Sequence, residues 1–465
     1  MSIITRFPPS PTGYLHIGRA RTALFNYLFA KHKQGKMIFR IEDTDRARSK
    51  KEYEENIIEC LEWLGISYDS GPYRQSERNE IYTRYIRKMI EGGQAYISKE
   101  STTDEEIEGD VDNQSRGDDG KHPGKKRSEV IRFKNPNKVI KFTDLIRGEI
   151  EFDTTELKDF IIARSIEEPL YHLTVVADDF EMGITHVIRG DDGISNTPRQ
   201  ILLQEAIGAP RPIYAHVPLI LAADRSKLSG RHGAIAVTEY RKLGYLPEAV
   251  INFLALLGWN PGTDQEIFSM DELITAFDIS KVQKSGAVFN LEKLKWFNRQ
   301  YILKLSDASF IAHASPFLPD QFSAPDPIFL RVLPLLREKI STFGEIDTML
   351  TVGGDLDFIK IAPKYDRDLL LWKKNPDPAA AQKHLKKALD IIDTLPGSDA
   401  EFTADAFRQA LWPYAEEHGK GDVLWPVRVA LTGKERSPDP FTSASILGRD
   451  ESTKRIRDAI VELSV

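Results

Sequence analysis

The sequence predicts a multidomain protein in which a parallel α/β domain carries an inserted α+β subdomain and is followed by all-helical domains. Three features of the 465 residues lead there. Strand-like and helical patterns alternate from the first residues onward, as they do where helices wrap a parallel sheet. The alternation breaks off near residue 75 and resumes after residue 168. Beyond about residue 234 the strand patterns fade and helical periodicity takes over. At roughly 100–200 residues per domain, a chain of this length holds three or four domains.

Ile3 to Phe7 reads as a strand that ends at Pro8-Pro9-Ser10-Pro11-Thr12-Gly13, a run too rich in proline for a helix or central strand. From His16 to Lys33, apolar residues recur at three- and four-residue steps (Ala20, Ala23, Leu24, Tyr27, Leu28), which predicts an amphipathic helix closing at Gly35. Met37 to Ile41 is a second strand, and Tyr53, Ile57, Leu61 and Leu64 mark a second helix before Gly65. Within the interruption, Glu100 to Asp119 is acidic and polar and Lys121 to Arg127 is basic, as in a solvated loop. The pattern resumes with a strand, His186 to Arg189, and a helix capped by Asn196 or Thr197 with Pro198 at its first position. A further strand, His216 to Leu221, leads into the loop Ala222 to Gly233. Pro247 opens a helix stopped by Gly258, and Pro325 to Ile340, Ala379 to Leu395 and Ala404 to His418 continue the helical part.

Hydrophobic residues make up 41% and charged residues 29%, an ordinary globular composition that excludes global disorder and collagen-like structure. The lone Cys60 excludes an internal disulfide, and no Cys/His spacing suits a structural zinc ion, so a reducing compartment is expected. Residues 1–14 hold no signal-peptide core, and the chain has no apolar run of about 18 residues. A soluble, cytoplasmic protein without membrane association is expected. The formal net charge of −7, from 63 basic and 70 acidic residues, gives no global attraction for polyanions. Any nucleic acid must be met by local basic patches.

Neither a P-loop nor a dinucleotide-binding glycine motif occurs, so this sheet needs another phosphate device. The segment Pro9 to Arg19 lies where the first strand turns into the first helix, at the sheet edge where doubly wound folds bind ligands. Helix N-terminal amides attract phosphate, Gly18 permits close approach of a ligand, and His16 could donate to a phosphoryl oxygen. Alone, the triplet reads as a capping histidine. A second candidate is the basic, glycine-bearing loop Lys227-Leu228-Ser229-Gly230-Arg231-His232-Gly233. Its Lys227 and Arg231 could neutralise charge on a leaving pyrophosphate; alone, such a run is a solvated turn.

Together, His16-Ile17-Gly18-Arg19 and Lys227-Leu228-Ser229-Gly230-Arg231 resemble the HIGH and KMSKS signatures of class I aminoacyl-tRNA synthetases. Arg6 to Gly13, Arg40-Ile41-Glu42-Asp43-Thr44-Asp45, Gly71 to Arg78 and Ile188-Arg189-Gly190-Asp191-Asp192 narrow the resemblance to bacterial glutamyl-tRNA synthetases. It runs from Ile3 to about Tyr301 and continues weakly in the tail at Val427 to Gly433. The resemblance implies a Rossmann-like catalytic domain in two halves, 1–76 and 169–233, split by an acceptor-end-binding subdomain, 77–168. A helical stem-contact domain, 234–312, and an all-helical anticodon-binding region, 313–465, would follow.

The family activates L-glutamate with ATP and Mg2+ to an adenylate and passes the glutamyl group to the terminal adenosine of tRNA(Glu), with tRNA(Gln) an open second substrate. On matching positions, Pro9, Thr12, His16, Gly18, Arg19, Lys227, Ser229 and Gly230 would bind ATP. His16, Lys227 and Arg231 would be catalytic, and Arg6, Ser10, Glu42, Tyr171 and Arg189 would line the glutamate pocket. The residue types agree, because a dicarboxylate calls for planar cations, Arg6 and Arg189, and its ammonium for an anion, Glu42. Glutamine would leave a buried guanidinium without its counter-charge.

Gly230 stands where the family usually has lysine, which leaves open a weakened, RNA-binding paralogue. Ala95 to Glu100 lacks the cysteines of the zinc site that some relatives carry, so no zinc is expected. The helical tail favours the glutamyl enzymes over the glutaminyl ones, whose tail is a β-barrel. Its most basic stretch, Trp372, Lys373, Lys374, Lys383, Lys386 and Lys387, suits RNA or a solvated face. A monomer is the family's tendency.

Overall fold

In a computed structural model of the chain, residues 2–99, 102–103, 126–127, 129–228, 235–322, 327–364, 367–396 and 401–464 are described. They form two compact units, Met1–Asn298 and Arg299–Val465. No helix among them is long and apolar enough to cross a membrane.

The first unit opens as the alternation predicts: β1 (Ile4–Phe7), α1 (Ile17–His32), β2 (Lys36–Ile41), α2 (Lys51–Trp63) and β3 (Ser70–Arg74). The strands pair in parallel in the order β1-β2-β3, with Arg6 beside Ile38 and Phe7 beside Phe39. Helix α1 is buried along nearly its whole length, because Ala20, Ala23, Leu24, Leu28 and Ala30 present a face that closes against the sheet. The neighbouring Cys60 is buried, and burial pushes its thiol pKa up to about 12, so it stays protonated.

The inserted stretch holds α3 (Asn79–Glu91), β4 (Ala95–Ser98), the short pair β5 (Thr102–Thr103) and β6 (Lys126–Arg127), then β7 (Val130–Phe133), β8 (Val139–Asp144), β9 (Gly148–Asp153), β10 (Phe160–Ser165) and β11 (Glu168–Pro169). Its own antiparallel sheet runs β11-β10-β7-β4. The β8–β9 hairpin leaves that sheet and joins the other. After α4 (Tyr171–Glu181), β12 (His186–Gly190), α5 (Thr197–Ile207) and β13 (Ile213–Val217), a four-stranded sheet runs β12-β13-β8-β9. Most of the segment expected to be a solvated loop, Glu100 to Arg127, lies outside the described residues.

The two sheets meet where β1 faces β12: Thr185 N–H donates to Ile4 O at 3.0 Å and Ile4 N–H to Thr185 Oγ1 at 2.8 Å. Chain order reverses at this seam, with β2 on one side of β1 and β12 on the other, and that is where an open α/β sheet has its ligand crevice. The strand expected from His216 to Leu221 is in fact two, β13 and β14 (Ile220–Leu221). Pro218 has no N–H to give to a ladder, and its carbonyl accepts instead from the buried Arg21, which also reaches Leu257 O at 3.0 Å. The unit continues through α6 (Val237–Lys242), α7 (Pro247–Leu256), α8 (Met270–Ala276), β15 (Ala287–Val288) and the first half of α9 (Leu291–Lys304). Gly258, at φ +97°, ends the run after α7 in a conformation that a side chain would strain.

The second unit contains α10 (Asp307–Ala314), α11 (Pro327–Lys339), α12 (Glu345–Leu350), α13 (Pro378–Thr394), α14 (Ala404–His418), α15 (Lys420–Thr432), α16 (Pro440–Leu447) and α17 (Arg449–Glu462), and no strand among its described residues. Helix α13 packs on α15 and α17. The buried Arg455 pins this junction, donating to Leu431 O at 2.7 Å and Phe358 O at 2.8 Å. Trp372 of the basic stretch is half-buried against Trp425, with ring centroids 5.2 Å apart, and Lys373 pairs with Glu435 at 3.1 Å.

Candidate active site

The proline-rich loop after β1 is rigid by sequence and is fixed further by its carbonyls. Pro9 O accepts from Glu42 N–H at 3.0 Å, Ser10 O from Arg19 Nη1 at 2.8 Å, and Pro11 O from Lys50 N–H at 3.0 Å. Pro9 is buried, whereas Ser10 and Thr12 are half-buried.

The loop delivers His16 to the N-cap of α1. There Nδ1 accepts from Gly18 N–H at 3.1 Å and Arg19 N–H at 3.4 Å, so the capping role is real. It also decides the tautomer, since a ring nitrogen that accepts carries no proton. The surrounding protein, then Arg19 and Lys227, push the pKa down to about 4. The ring is therefore neutral at pH 7 and its only N–H, on Nε2, points a donor away from the cap. Gly18 is tied to that arrangement, because a Cβ on it would sit 3.0 Å from His16 Cε1.

The loop after β14 returns to the same place. Ala222 N–H donates to Ser226 O at 2.8 Å and Leu228 N–H to Ile220 O at 3.0 Å, which folds Asp224 and Arg225 into a turn. Lys227 is exposed, with Nζ 3.9 Å from Asp192, and close enough to His16 to depress its pKa. Past the loop, Val237 N–H donates to Leu15 O at 2.8 Å and Ala236 pairs with His16. Ser229, Gly230 and Arg231 lie outside the described residues.

Beneath this edge lies a buried charge cluster built on β1, β2 and α4. Arg40 donates to Asp179 Oδ1 at 2.7 Å and to Glu42 Oε1 at 3.0 Å, and its Nε lies 3.8 Å from Asp178. Arg6 Nε reaches Asp179 Oδ2 at 3.3 Å and its Nη1 reaches Ile188 O at 3.4 Å. Arg78, Gln75 and Tyr82 saturate Asp178 at 2.7, 3.0 and 2.8 Å. Burial works against every charge here. Even so, Arg6 and Arg40 hold Asp179 below the usual carboxylate range, and the carboxylates hold Arg40 above its own. For Glu42 burial outweighs the pull of Arg40 and raises its pKa.

The two arginines expected to grip substrate are placed differently. Arg6 is buried, with Nε and Nη1 committed to Asp179 and Ile188 O, and its Nη2 makes no hydrogen bond among the described residues. Arg189 gives Nε to His216 Nε2 at 3.1 Å, Nη1 to Gln200 Oε1 at 2.8 Å, and Nη2 to Gly193 O at 3.0 Å and Thr197 Oγ1 at 2.8 Å. Of the five N–H bonds of a guanidinium, one on Nη1 is left, so Arg189 offers a substrate its charge and a single donor rather than a fork. Arg6 lies near both Arg189 and Glu42, each of which acts on its pKa, and Glu42 likewise acts on Arg19. Tyr171 is half-buried at the first turn of α4, the helix that carries Asp178 and Asp179. Sequence reasoning missed Arg40, Asp178, Asp179, His216 and Asp144. Two adjacent aspartates in an otherwise apolar helix, and a histidine inside the run Tyr214-Ala215-His216-Val217, were the available signals.

The first unit matches the family model for the class I tRNA synthetase catalytic domain, "E and Q", over residues 2–296, and an anticodon-binding-domain model matches residues 309–460. A glutamate–tRNA ligase of Carboxydothermus hydrogenoformans is 41% identical over 485 aligned positions, covering 97% of this chain and 98% of that protein. One of Geotalea uraniireducens is 42% identical, covering 98% and 97%. The crystal structure of a glutamate tRNA ligase from Elizabethkingia meningosepticum, solved in complex with its amino acid, superposes with a TM-score of 0.82 at 33% identity over 99% of each chain.

Proposed function

We propose that this chain, which belongs to the class I tRNA synthetases for glutamate and glutamine and is similar over nearly its whole length to glutamate–tRNA ligases, joins L-glutamate to tRNA(Glu) at the expense of ATP. The observation that supports it best is the convergence at the α1 N-terminus. The turn after β14 sets Lys227 beside His16, Ala236 pairs with His16 directly, and the Arg6–Glu42 cluster lies underneath.

In the first step a substrate carboxylate oxygen attacks the α-phosphorus of ATP and pyrophosphate leaves. His16 donates from Nε2–H to a phosphate oxygen, the α1 amides and Arg19 add positive potential, and Lys227 neutralises charge on the departing pyrophosphate. Arg6 receives one carboxylate at Nη2, and Glu42 faces the ammonium group. No side-chain nucleophile is required, so catalysis is positioning and charge stabilisation. In the second step a hydroxyl of the terminal ribose attacks the activated carbonyl and AMP departs. Among the described residues no group of His, Cys, Asp and Glu could cage a metal. Mg2+ carried in with ATP would supply charge neutralisation at the phosphates.

The inserted subdomain would receive the acceptor end of the tRNA and the helical tail its anticodon, in a monomeric cytoplasmic enzyme. Charging of separately transcribed tRNA(Glu) and tRNA(Gln) with labelled glutamate tests this. Glutamyl-tRNA(Glu) formation is expected; no product with either tRNA would defeat the reading, and product with both would make the enzyme non-discriminating.

A further inference from the structure

We propose that His216 is a positioning residue for substrate binding, because it holds the guanidinium of Arg189 in place through the nitrogen that Asp144 leaves free. The inference rests on the reading of Arg189 as a residue of the glutamate pocket. Its parts come from distant stretches of chain: Asp144 ends the hairpin strand β8, His216 sits on β13, and Arg189 on β12. All but Arg189 are fully out of solvent, with Asp144 at 1%, His216 at 0% and Thr197 at 0% exposure.

Asp144 is itself tied down on both oxygens. Its Oδ1 accepts from Ile146 N–H at 2.9 Å and Arg147 N–H at 2.8 Å, and its Oδ2 from His216 N–H at 3.0 Å. The imidazole Nδ1 lies 2.7 Å from the same Oδ2. A carboxylate can only accept, so the proton of the ring must be on Nδ1, and Nε2 is left with a lone pair. That lone pair faces Arg189 Nε–H at 3.1 Å and Thr197 Oγ1 at 3.2 Å.

The rest of the cradle leaves the guanidinium no other orientation. Gln200, Thr197 and Gly193 O hold its Nη atoms, and a Cβ at residue 193 would stand 2.6 Å from Nε, so a side chain there would displace the guanidinium from this cradle. With the donors on one side committed, the remaining Nη1–H has a single direction. A histidine of the opposite tautomer would set N–H against N–H and turn the guanidinium out of this plane. Asp144 thus acts on substrate at second hand, by choosing the His216 tautomer.

Two substitutions separate the halves of this chain. In His216→Asn the side-chain amide can still donate to Asp144 but nothing reaches Arg189; in His216→Gln the carbonyl oxygen can reach the place of Nε2 while the bond to Asp144 is lost. ATP–pyrophosphate exchange in the presence of tRNA, with glutamate and ATP varied separately, should show KM for glutamate raised tenfold or more in His216→Asn, KM for ATP within twofold, and most of the loss recovered in His216→Gln. Equal behaviour of the two variants, or a glutamate KM within twofold of the parent in His216→Asn, overturns the proposal. Arg189→Met distinguishes the underlying reading: an unchanged glutamate KM there removes Arg189 from the pocket altogether and the proposal with it. Should His216→Asn fail to fold, the intact protein labelled with 15N-histidine still decides. An Nδ1–H tautomer at pH 7, assigned by its disappearance in His216→Gln, is expected, and an Nε2–H tautomer refutes the chain.

Discussion

Arg40 holds apart the buried carboxylates of the site, and its removal gives the sharpest stability prediction. Arg40→Met keeps an unbranched apolar stem but takes away the donors to Asp179 at 2.7 Å and Glu42 at 3.0 Å. Asp179 is then left with Arg6 at 3.3 Å, Glu42 with no ion pair among the described residues, and the cluster with one uncompensated negative charge. Removing one partner of a buried ion pair costs about 3–5 kcal/mol, a large share of the ~5–15 kcal/mol that holds a domain folded. The pH dependence follows from sign. Burial already raises the pKa of Glu42 against the pull of Arg40, and losing Arg40 raises it further. A carboxyl whose folded pKa lies above its unfolded value favours the folded state at low pH and loses that advantage as pH rises through the folded value. The deficit should therefore be largest near pH 8 and shrink toward pH 5.5. Urea unfolding of both proteins across that range measures it, and Arg40→Met/Glu42→Gln should be more stable than Arg40→Met alone at pH 8. A deficit below about 1 kcal/mol, or one independent of pH, would show that the cluster is solvated and the electrostatic account wrong.

Three further outcomes are expected. His16→Asn keeps an acceptor for the α1 amides but loses the Nε2–H donor, so adenylate formation should slow by about 10²–10³-fold with the melting temperature held; equal rates in parent and variant would assign His16 to capping alone. Gly18→Ala adds a methyl 3.0 Å from His16 Cε1 while improving helix propensity by up to about 1 kcal/mol. Exchange activity should fall without loss of stability, and the reverse pattern would contradict the proposed link between glycine and ring. His216, at a pKa of about 4 against an ordinary 6.5, resists a proton that the unfolded chain accepts. Stability should be unaffected above about pH 6.5 and fall by up to about 3 kcal/mol as pH drops toward 4; urea midpoints of the parent and His216→Gln that stay parallel over this range would refute it.

What the sequence revealed was what local patterns encode. The boundaries of α1 and α14 follow from three- and four-residue apolar spacing, and the α/β alternation alone puts His16 at a sheet edge. Pairings between distant strands left no such trace. Nothing in Val139 to Asp153 shows that this hairpin deserts its neighbours for β13, because register is set by the partner rather than by the strand. The charge of Arg189 was legible, but the four acceptors that occupy it come from His216, Gln200, Gly193 and Thr197, which only folding assembles. The role expected of Glu42 likewise hid its dependence on Arg40: residues two apart on an extended chain share a face, but their burial together comes only from folding. The substitution at Gly230 falls outside the described residues.

The route taken by β8 and β9 limits how this chain could be cut and spliced. A swap of residues 77–168 with the corresponding stretch of a relative would carry away two strands of the sheet, β8 and β9, and Asp144 with them. A chimera meant to exchange only the outer antiparallel layer would have to leave Val139 to Asp153 with the host, and the junctions that respect the fold lie on either side of that hairpin rather than at the ends of the insertion.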